Sequence, residues 1–216
     1  MKLSLNDRQK IDIADDHIFY EKPRYVQHLS NSFRSRLTSL YTQYLCNHYV
    51  ILDLMSSWVS HLPPNIRYKK VIGHGMNDAE LSSNNRLDSF WVQNLNNTQN
   101  MPIEDSSVDA GLIVAGWQYL QYPEKVSIEL SRIIKPDSLL IISFTNRAFW
   151  SKAPYIWTYS TEEKRIEYVI NILDANGWRV EKIINEKTQE KQLFGLYMTD
   201  SDPFFSVIAR NNKSNN

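Results

Sequence analysis

Residues 162–184, EEKRIEYVINILDANGWRVEKII, carry a helix, its stop signal and a strand in one run. Ile166, Val169, Ile170 and Leu173 fall on one helical stripe, and Asn176-Gly177 ends it, because glycine takes the left-handed conformation that closes helices at little cost. Trp178 to Ile184 then reads as a strand, and Phe204 to Ala209 as a second. Glu186 to Pro203, between them, is long enough for a crossover but shows no strong helical stripe. A parallel crossover usually needs a helix. The last strand is therefore expected to run antiparallel, as one arm of a hairpin.

Upstream, strands and helices alternate. Val50-Ile51-Leu52-Asp53-Leu54 is a β-branched, apolar run suited to a strand buried on both faces. Ser56 and Ser57 are expected to cap a short helix that Pro63-Pro64 stops. Lys70 to Gly73 gives a second strand, and Asn77-Asp78-Ala79-Glu80 a capping-box-like helix start. Phe90 to Gln93 and Ala110 to Ala115 give strands three and four. Pro123 opens a helix whose apolar positions Val126, Leu130, Ile133 and Ile134 run up to Lys135-Pro136, and Ser138 to Phe144 is the clearest strand. Such alternation predicts a mostly parallel sheet with helices on both faces. Residues 1–48 are expected to form a helical cap or lid, 49–210 the α/β domain, and 211–216 a frayed tail.

Composition narrows the function. The 216 residues hold 24 Lys plus Arg and 24 Asp plus Glu, and this zero net charge disfavours a general nucleic-acid or anionic-membrane binder. A single cysteine, Cys46, excludes an internal disulfide framework and a Cys-rich zinc site, and no metal is expected. No apolar run approaches the ~18 residues of a spanning helix. The polar N-terminus with its early acids argues against a targeting peptide, so the cytoplasm is the expected compartment.

Three local patterns carry a resemblance. They are the apolar strand ending in Asp53; Met101-Pro102-Ile103-Glu104-Asp105-Ser106-Ser107-Val108-Asp109; and Glu129-Leu130-Ser131-Arg132-Ile133-Ile134-Lys135-Pro136-Asp137. With the helix–strand–loop–strand ending, they resemble the class I S-adenosylmethionine-dependent methyltransferases over about residues 50–210. More narrowly, Asp53 to Trp58 and Ser143 to Arg147 look like a methyltransferase type 11-like branch with a degenerate glycine motif. The resemblance implies a three-layer Rossmann-like fold, with a seven-stranded, mostly parallel sheet and an antiparallel last strand. It implies S-adenosyl-L-methionine as cofactor and methyl transfer to a small-molecule acceptor.

The same resemblance implies the cofactor residues. Asp53 leads, followed by Met55, Ser56 and Ser57 of the first loop, Gly75, Met76 and Asn77 after strand two, Asn94, Leu95 and Asn96 after strand three, and Gly116 and Trp117 after strand four. Met55, Ser57 and Val59 stand where the family has glycines. A positive φ at Met55 costs roughly 1–2 kcal/mol, so the loop is expected to take another path, with Ser56, Ser57 and a helix N-terminus holding the cofactor's carboxylate. Gly75 stands where the family places the ribose-binding acid, leaving Asn77, Asp78 or Glu80 for that role. Asn94 stands where an adenine-contacting Asp is expected, and Asp137, where the family has glycine, is expected in a left-handed turn.

Methyl transfer demands no fixed triad. Ligands of an open sheet bind beyond the C-terminal strand ends, which brings forward Thr145-Asn146-Arg147 as well. Candidate proton acceptors are His28 and Tyr119, with His61 and His74 behind them, though a histidine at a helix or strand end often has only a structural role. Phe19 to His28, aromatic and basic, suits a lid. Tyr20, Arg24, Trp58, Arg147 and Trp150 are candidate acceptor contacts, against the plainer reading of packing tryptophans and structural arginines; Arg34 is a further arginine of that kind. The competing function is a degenerate relative serving as a binding or interaction module. A nicotinamide-dependent oxidoreductase is disfavoured by the absence of a Gly-x-Gly-x-x-Gly turn.

Overall fold

A computed structural model describes residues 2–187, 191–193, 196–198 and 202–213, with the two three-residue segments described by backbone alone. In chain order the elements are α1 (Asp16–Tyr20), α2 (Asn31–Tyr44), β1 (Val50–Leu54), β2 (Lys70–Gly75), α3 (Asp78–Ser82), β3 (Ser89–Val92), β4 (Val108–Val114), α4 (Pro123–Ile133), β5 (Ile134–Phe144), α5 (Tyr155–Thr158), α6 (Glu162–Ala175), β6 (Trp178–Glu186), β7 (Lys191–Leu193), β8 (Leu196–Met198) and β9 (Phe204–Asn211). Seven strands form one sheet in the order β3-β2-β1-β4-β5-β9-β6. The five from β3 to β5 are parallel, and β9 is antiparallel to both neighbours. The antiparallel last strand is as expected, and it inserts between β5 and β6 rather than at the edge. Inside the connection that shows no helical stripe, β7 and β8 form a small hairpin of their own.

Helices cover both faces. Val126, Leu130, Ile133, Ile166, Val169 and Leu173 from α4 and α6 pack with Leu52, Leu54, Ile113, Leu140 and Ile142 of the sheet. Phe33, Leu37, Leu40 and Tyr41 from α2 pack with Ile51, Val71, Leu112, Ile141 and Ile208 on the other face. α2, in the stretch expected as a cap, therefore packs directly on the sheet as a layer over that face. Asn211, at the start of the stretch expected as a tail, belongs to β9, and its amide donates to Ser131 O at 2.9 Å and Ile134 O at 2.7 Å.

The helix expected after Ser56-Ser57 does not form. Residues 55–69 cross from β1 to β2 as irregular backbone, and side chains supply partners that a helix would have provided. Asn84 donates to Ser57 O at 2.9 Å, Thr38 to His61 O at 3.1 Å, and Arg86 to Pro63 O at 3.1 Å. Asp137 does take the left-handed turn, at φ 57°.

Two of the three quoted sequence patterns turn out to be one knot. The Glu129 carboxylate accepts the Met101 N–H at 2.7 Å, and Arg132 donates to Ile103 O at 2.9 Å and Met101 O at 3.2 Å while pairing with both Glu129 and Asp105. The end of α4 thereby clamps the passage into β4. Asp109, at that strand's start, accepts the Val50 N–H at 2.8 Å and pairs with Lys135.

His74 pins the first loop. It is 1% exposed; its Nδ1 accepts the Met55 N–H at 3.2 Å, so the hydrogen-bond network puts the proton on Nε2, which donates to Gln93 O at 2.9 Å. Burial holds this imidazole at about 4. A group held below its unfolded value stabilises the fold fully above pH 6.5, and the contribution is lost as pH falls through about 4. The loss is of order 3 kcal/mol. Thermal melts between pH 7 and pH 4 are expected to show a falling midpoint, with a shallower slope in His74→Gln; parallel slopes for the two proteins would refute the clamp.

Candidate functional site

A cavity of about 390 Å³ opens at the C-terminal ends of β1, β2 and β4, within the range of small-molecule sites. Asp53, Met55, Ser56, Ser57, Trp58 and Ser60 line it from the first loop. Met55 keeps the conformation of the glycine it stands in for, at φ 59°, contrary to the expected detour. The loop tolerates its side chain because Gly116, at the end of β4, has no Cβ: one built there would lie 2.7 Å from Met55 Cβ and 3.1 Å from its sulfur. Ser56 and Ser57 have no helix N-terminus behind them. The Ser56 hydroxyl donates to Asp53 Oδ2 at 2.7 Å, the Ser60 hydroxyl donates to the same oxygen, and the Ser57 hydroxyl donates to Glu80.

Asp53 is 6% exposed. Burial pushes its carboxyl above the usual range, against the two serine hydroxyls that favour the anion. No cation pairs with it among the described residues. Tyr41, also on the cavity wall, keeps a buried hydroxyl without a partner.

The second strand explains the missing acid. The Ser56 N–H donates to His74 O at 2.6 Å, and a Cβ at Gly75 would lie 2.6 Å from Ser56 O. No side chain fits at 75 while the loop lies there. Asn77 lines the cavity but is fully employed: its Oδ1 accepts the Glu80 N–H at 3.0 Å, and its Nδ2 donates to Tyr20 O at 2.8 Å and Glu21 O at 3.0 Å. Met76 sits beside it on the wall, and Asp78 enters α3. Glu80 is the carboxylate that faces the cavity from this side; it accepts the Arg24 N–H at 2.7 Å as well as Ser57, which leaves lone pairs unused. Beyond β3, Asn94, Leu95 and Asn96 all line the wall. Asn96 is committed to Asp16, Tyr119 O and the Gln121 N–H. Asn94 uses its Oδ1 on the Asn96 N–H, and its Nδ2 has no partner among the described residues.

Residues 16–29 close the other side. The segment is fastened by a buried charge cluster: Lys10 to Asp16 at 2.8 Å, and Lys152 to Asp12 at 3.0 Å and Asp16 at 3.4 Å. Tyr20, Arg24 and His28 line the cavity from it, facing Tyr119 and Phe149. Burial, and then the Arg24 guanidinium, hold His28 below its ordinary value. The Tyr119 hydroxyl accepts the Phe149 N–H at 3.0 Å, and burial raises its phenol. Trp58 donates to Val26 O at 3.2 Å, tying the first loop to this segment. Arg147 lines the rim but pairs with Asp202 at 2.6 Å. His61 also lines the cavity, held at about 4 by burial and then by Arg34.

Two expected site residues lie elsewhere. Trp117 is 1% exposed and packs into the α4–α6 core, because the 3-10 turn it opens directs the indole away from the sheet's ligand edge. Trp150 is on the surface with the Arg165 guanidinium 5.2 Å above its ring. Phe149, Gln118 and Asp16, not singled out from the sequence, are on the wall instead. Phe149 is next to Trp150 in the sequence; nothing local marks Asp16, whose position depends on contacts with Lys10 and the distant Lys152.

Comparisons with known proteins agree with this geometry. The family model described as a methyltransferase domain matches residues 38–142. No curated protein matches the chain in sequence. Among solved structures, a chain from the complex of the Haloferax volcanii Trm112 methyltransferase activator with a methyltransferase superposes with TM-score 0.65 at 11% identity, over 85% of this chain and 92% of that one. An S-adenosylmethionine-dependent methyltransferase from Aquifex aeolicus gives 0.57 at 17%, over 85% and 90%. The [4+2]-cyclase SpnF gives 0.60 at 12%, over 83% and 82%. Sheet order and these likenesses show the fold shared by S-adenosylmethionine-dependent methyltransferases, and residues 38–142 match the family model of a methyltransferase domain.

Proposed function

We propose that the protein is an S-adenosylmethionine-dependent methyltransferase with a small-molecule acceptor, the cofactor lying over the ends of β1, β2 and β4 and the acceptor beneath residues 16–29. The observation that carries this reading is Asp53. A carboxylate buried without a cation is costly, by several kcal/mol, and two serine hydroxyls do not neutralise it. A ligand ammonium in the adjoining cavity supplies the counter-charge. Glu80, with lone pairs to spare, stands in for the ribose-binding acid that Gly75 cannot be, and the Asn94 amide is free to donate to an adenine edge. Neither Asn77 nor Asn96 serves, since both are consumed in holding the segment above.

When bound, the cofactor supplies an electrophilic methyl on its sulfonium. The chain's own residues then have three tasks: to align the acceptor, to exclude water and to take a proton where one leaves. The aromatic wall of Tyr20, Tyr119 and Phe149 meets the first two. The His28 imidazole, held below its ordinary value by burial and then by Arg24, suits the third.

Calorimetric titration with S-adenosylmethionine and S-adenosylhomocysteine tests the reading. Both are expected to bind, with affinity weakened at least tenfold in Asp53→Asn at an unchanged melting temperature. Because the Asp53 carboxyl lies above its usual range, affinity is expected to fall as pH is lowered into that range, and to be flat in Asp53→Asn. His28→Ala is expected to leave S-adenosylhomocysteine affinity within about threefold. No heat and no thermal shift at millimolar ligand would leave the other reading, a binding module of the same fold, which the blocked position at Gly75 favours.

A further inference from the structure

Within the segment that covers the cavity lies a cation that pairs with no carboxylate among the described residues. The Arg24 guanidinium sits 4.4 Å from the Phe19 ring centre and 5.7 Å from those of Tyr20 and Phe149. One of its nitrogens donates to Phe19 O at 2.7 Å, which leaves most of its five N–H donors unused. Of the carboxylates on the cavity wall, Asp16 pairs with Lys10 and Lys152, and Asp53 takes the Ser56 and Ser60 hydroxyls. Glu80 takes the backbone N–H of Arg24, not its side chain. Of the two arginines that line the cavity, Arg147 pairs with a carboxylate and Arg24 does not.

Stacking engages the faces of a guanidinium and leaves its edge to find acceptors, and that edge is a planar fork matched to a carboxylate. The fork is also fixed in place, by aromatic rings around it and by the Glu80 hold on its own backbone. Its surroundings are flat and apolar. Three carboxylates line the cavity: Asp16 is paired with Lys10 and Lys152, whereas Asp53 and Glu80, from the first loop and α3, pair with no cationic side chain among the described residues and are the ones free to meet a cationic cofactor.

We infer that Arg24 is the anion receptor of the acceptor compartment, and that the acceptor is a small organic acid with a flat, aromatic body whose carboxylate docks on the Arg24 fork. This deepens the methyltransferase reading and rests on it for the word acceptor. Tyr119 contributes a hydroxyl hydrogen to the same compartment, since its oxygen already accepts the Phe149 N–H.

Benzoate is the probe. Titrated into the intact protein by ligand-observed NMR and calorimetry, it is expected to bind at least tenfold more tightly than benzamide, which has the same shape without charge, and more tightly than acetate, which has the charge without the ring. Arg24→Met is expected to bring benzoate down to the benzamide level, and Arg24→Lys to fall between, with S-adenosylhomocysteine affinity within about threefold in both. Equal binding of benzoate and benzamide, or benzoate affinity unchanged in Arg24→Met, overturns the assignment. If acetate equals benzoate, the aromatic body is wrong. The wild-type comparison stands even where a variant fails to fold. S-adenosylhomocysteine binding without benzoate binding sinks the acceptor assignment alone, whereas Arg24-dependent benzoate binding without S-adenosylhomocysteine binding sinks the methyltransferase reading and leaves the anion site.

Discussion

The backbone of the first loop lies directly on the end of β2, and much of the site follows from that approach. The Ser56 N–H reaches His74 O, the Met55 N–H reaches the His74 ring, and Ser56 O occupies the space where a Cβ at 75 would be. One consequence is Gly75 itself: an acidic side chain there would collide with main chain, which cannot yield as a side chain can. Another is Met55, held at positive φ by two hydrogen bonds from its neighbourhood to β2. A third is Asp53, whose carboxylate is anchored by Ser56 and Ser60 on the same loop. The side chains carried by the first loop and the bare glycine at 75 thus belong to one arrangement of main chain.

Crowding from the loop is relieved just beyond β4, at Gly116, which receives the Met55 side chain. The cavity stays open beside that methionine, and a thioether and serine hydroxyls line it.

The sheet was legible because its signals are local and mutually reinforcing. Buried parallel strands declare themselves as apolar runs, α6 carries both its stripe and its stop, and the two motif passages around Met101 and Arg132 bond to each other. The site was legible only in part. Placement at strand ends found most of the wall, because topology alone dictates it. Three things escaped. The crossover at 55–69 reads like a capped helix, but its carbonyls are satisfied by Thr38, Asn84 and Arg86 from elsewhere. The direction of Trp117 depends on a single turn of 3-10 helix. The layer role of α2 depends on an exposed sheet face that no window of sequence displays.

The order in which the sheet is completed differs from the order in which it is synthesised. β9 lies between β5 and β6 yet is the last of the strands to leave the ribosome, and the N-terminal turn of α2 waits for the same stretch: the Ser30 N–H donates to Asp202 at 2.7 Å, and the Asp202 N–H to the Ser30 hydroxyl at 3.0 Å. Until then both inner flanks of the gap present unpaired backbone beside apolar side chains, the kind of edge that invites aggregation and chaperone capture. A nascent chain halted before Phe204 therefore lacks the strand that joins β5 to β6, and the start of α2 and the closing of the sheet depend on the same late stretch of chain.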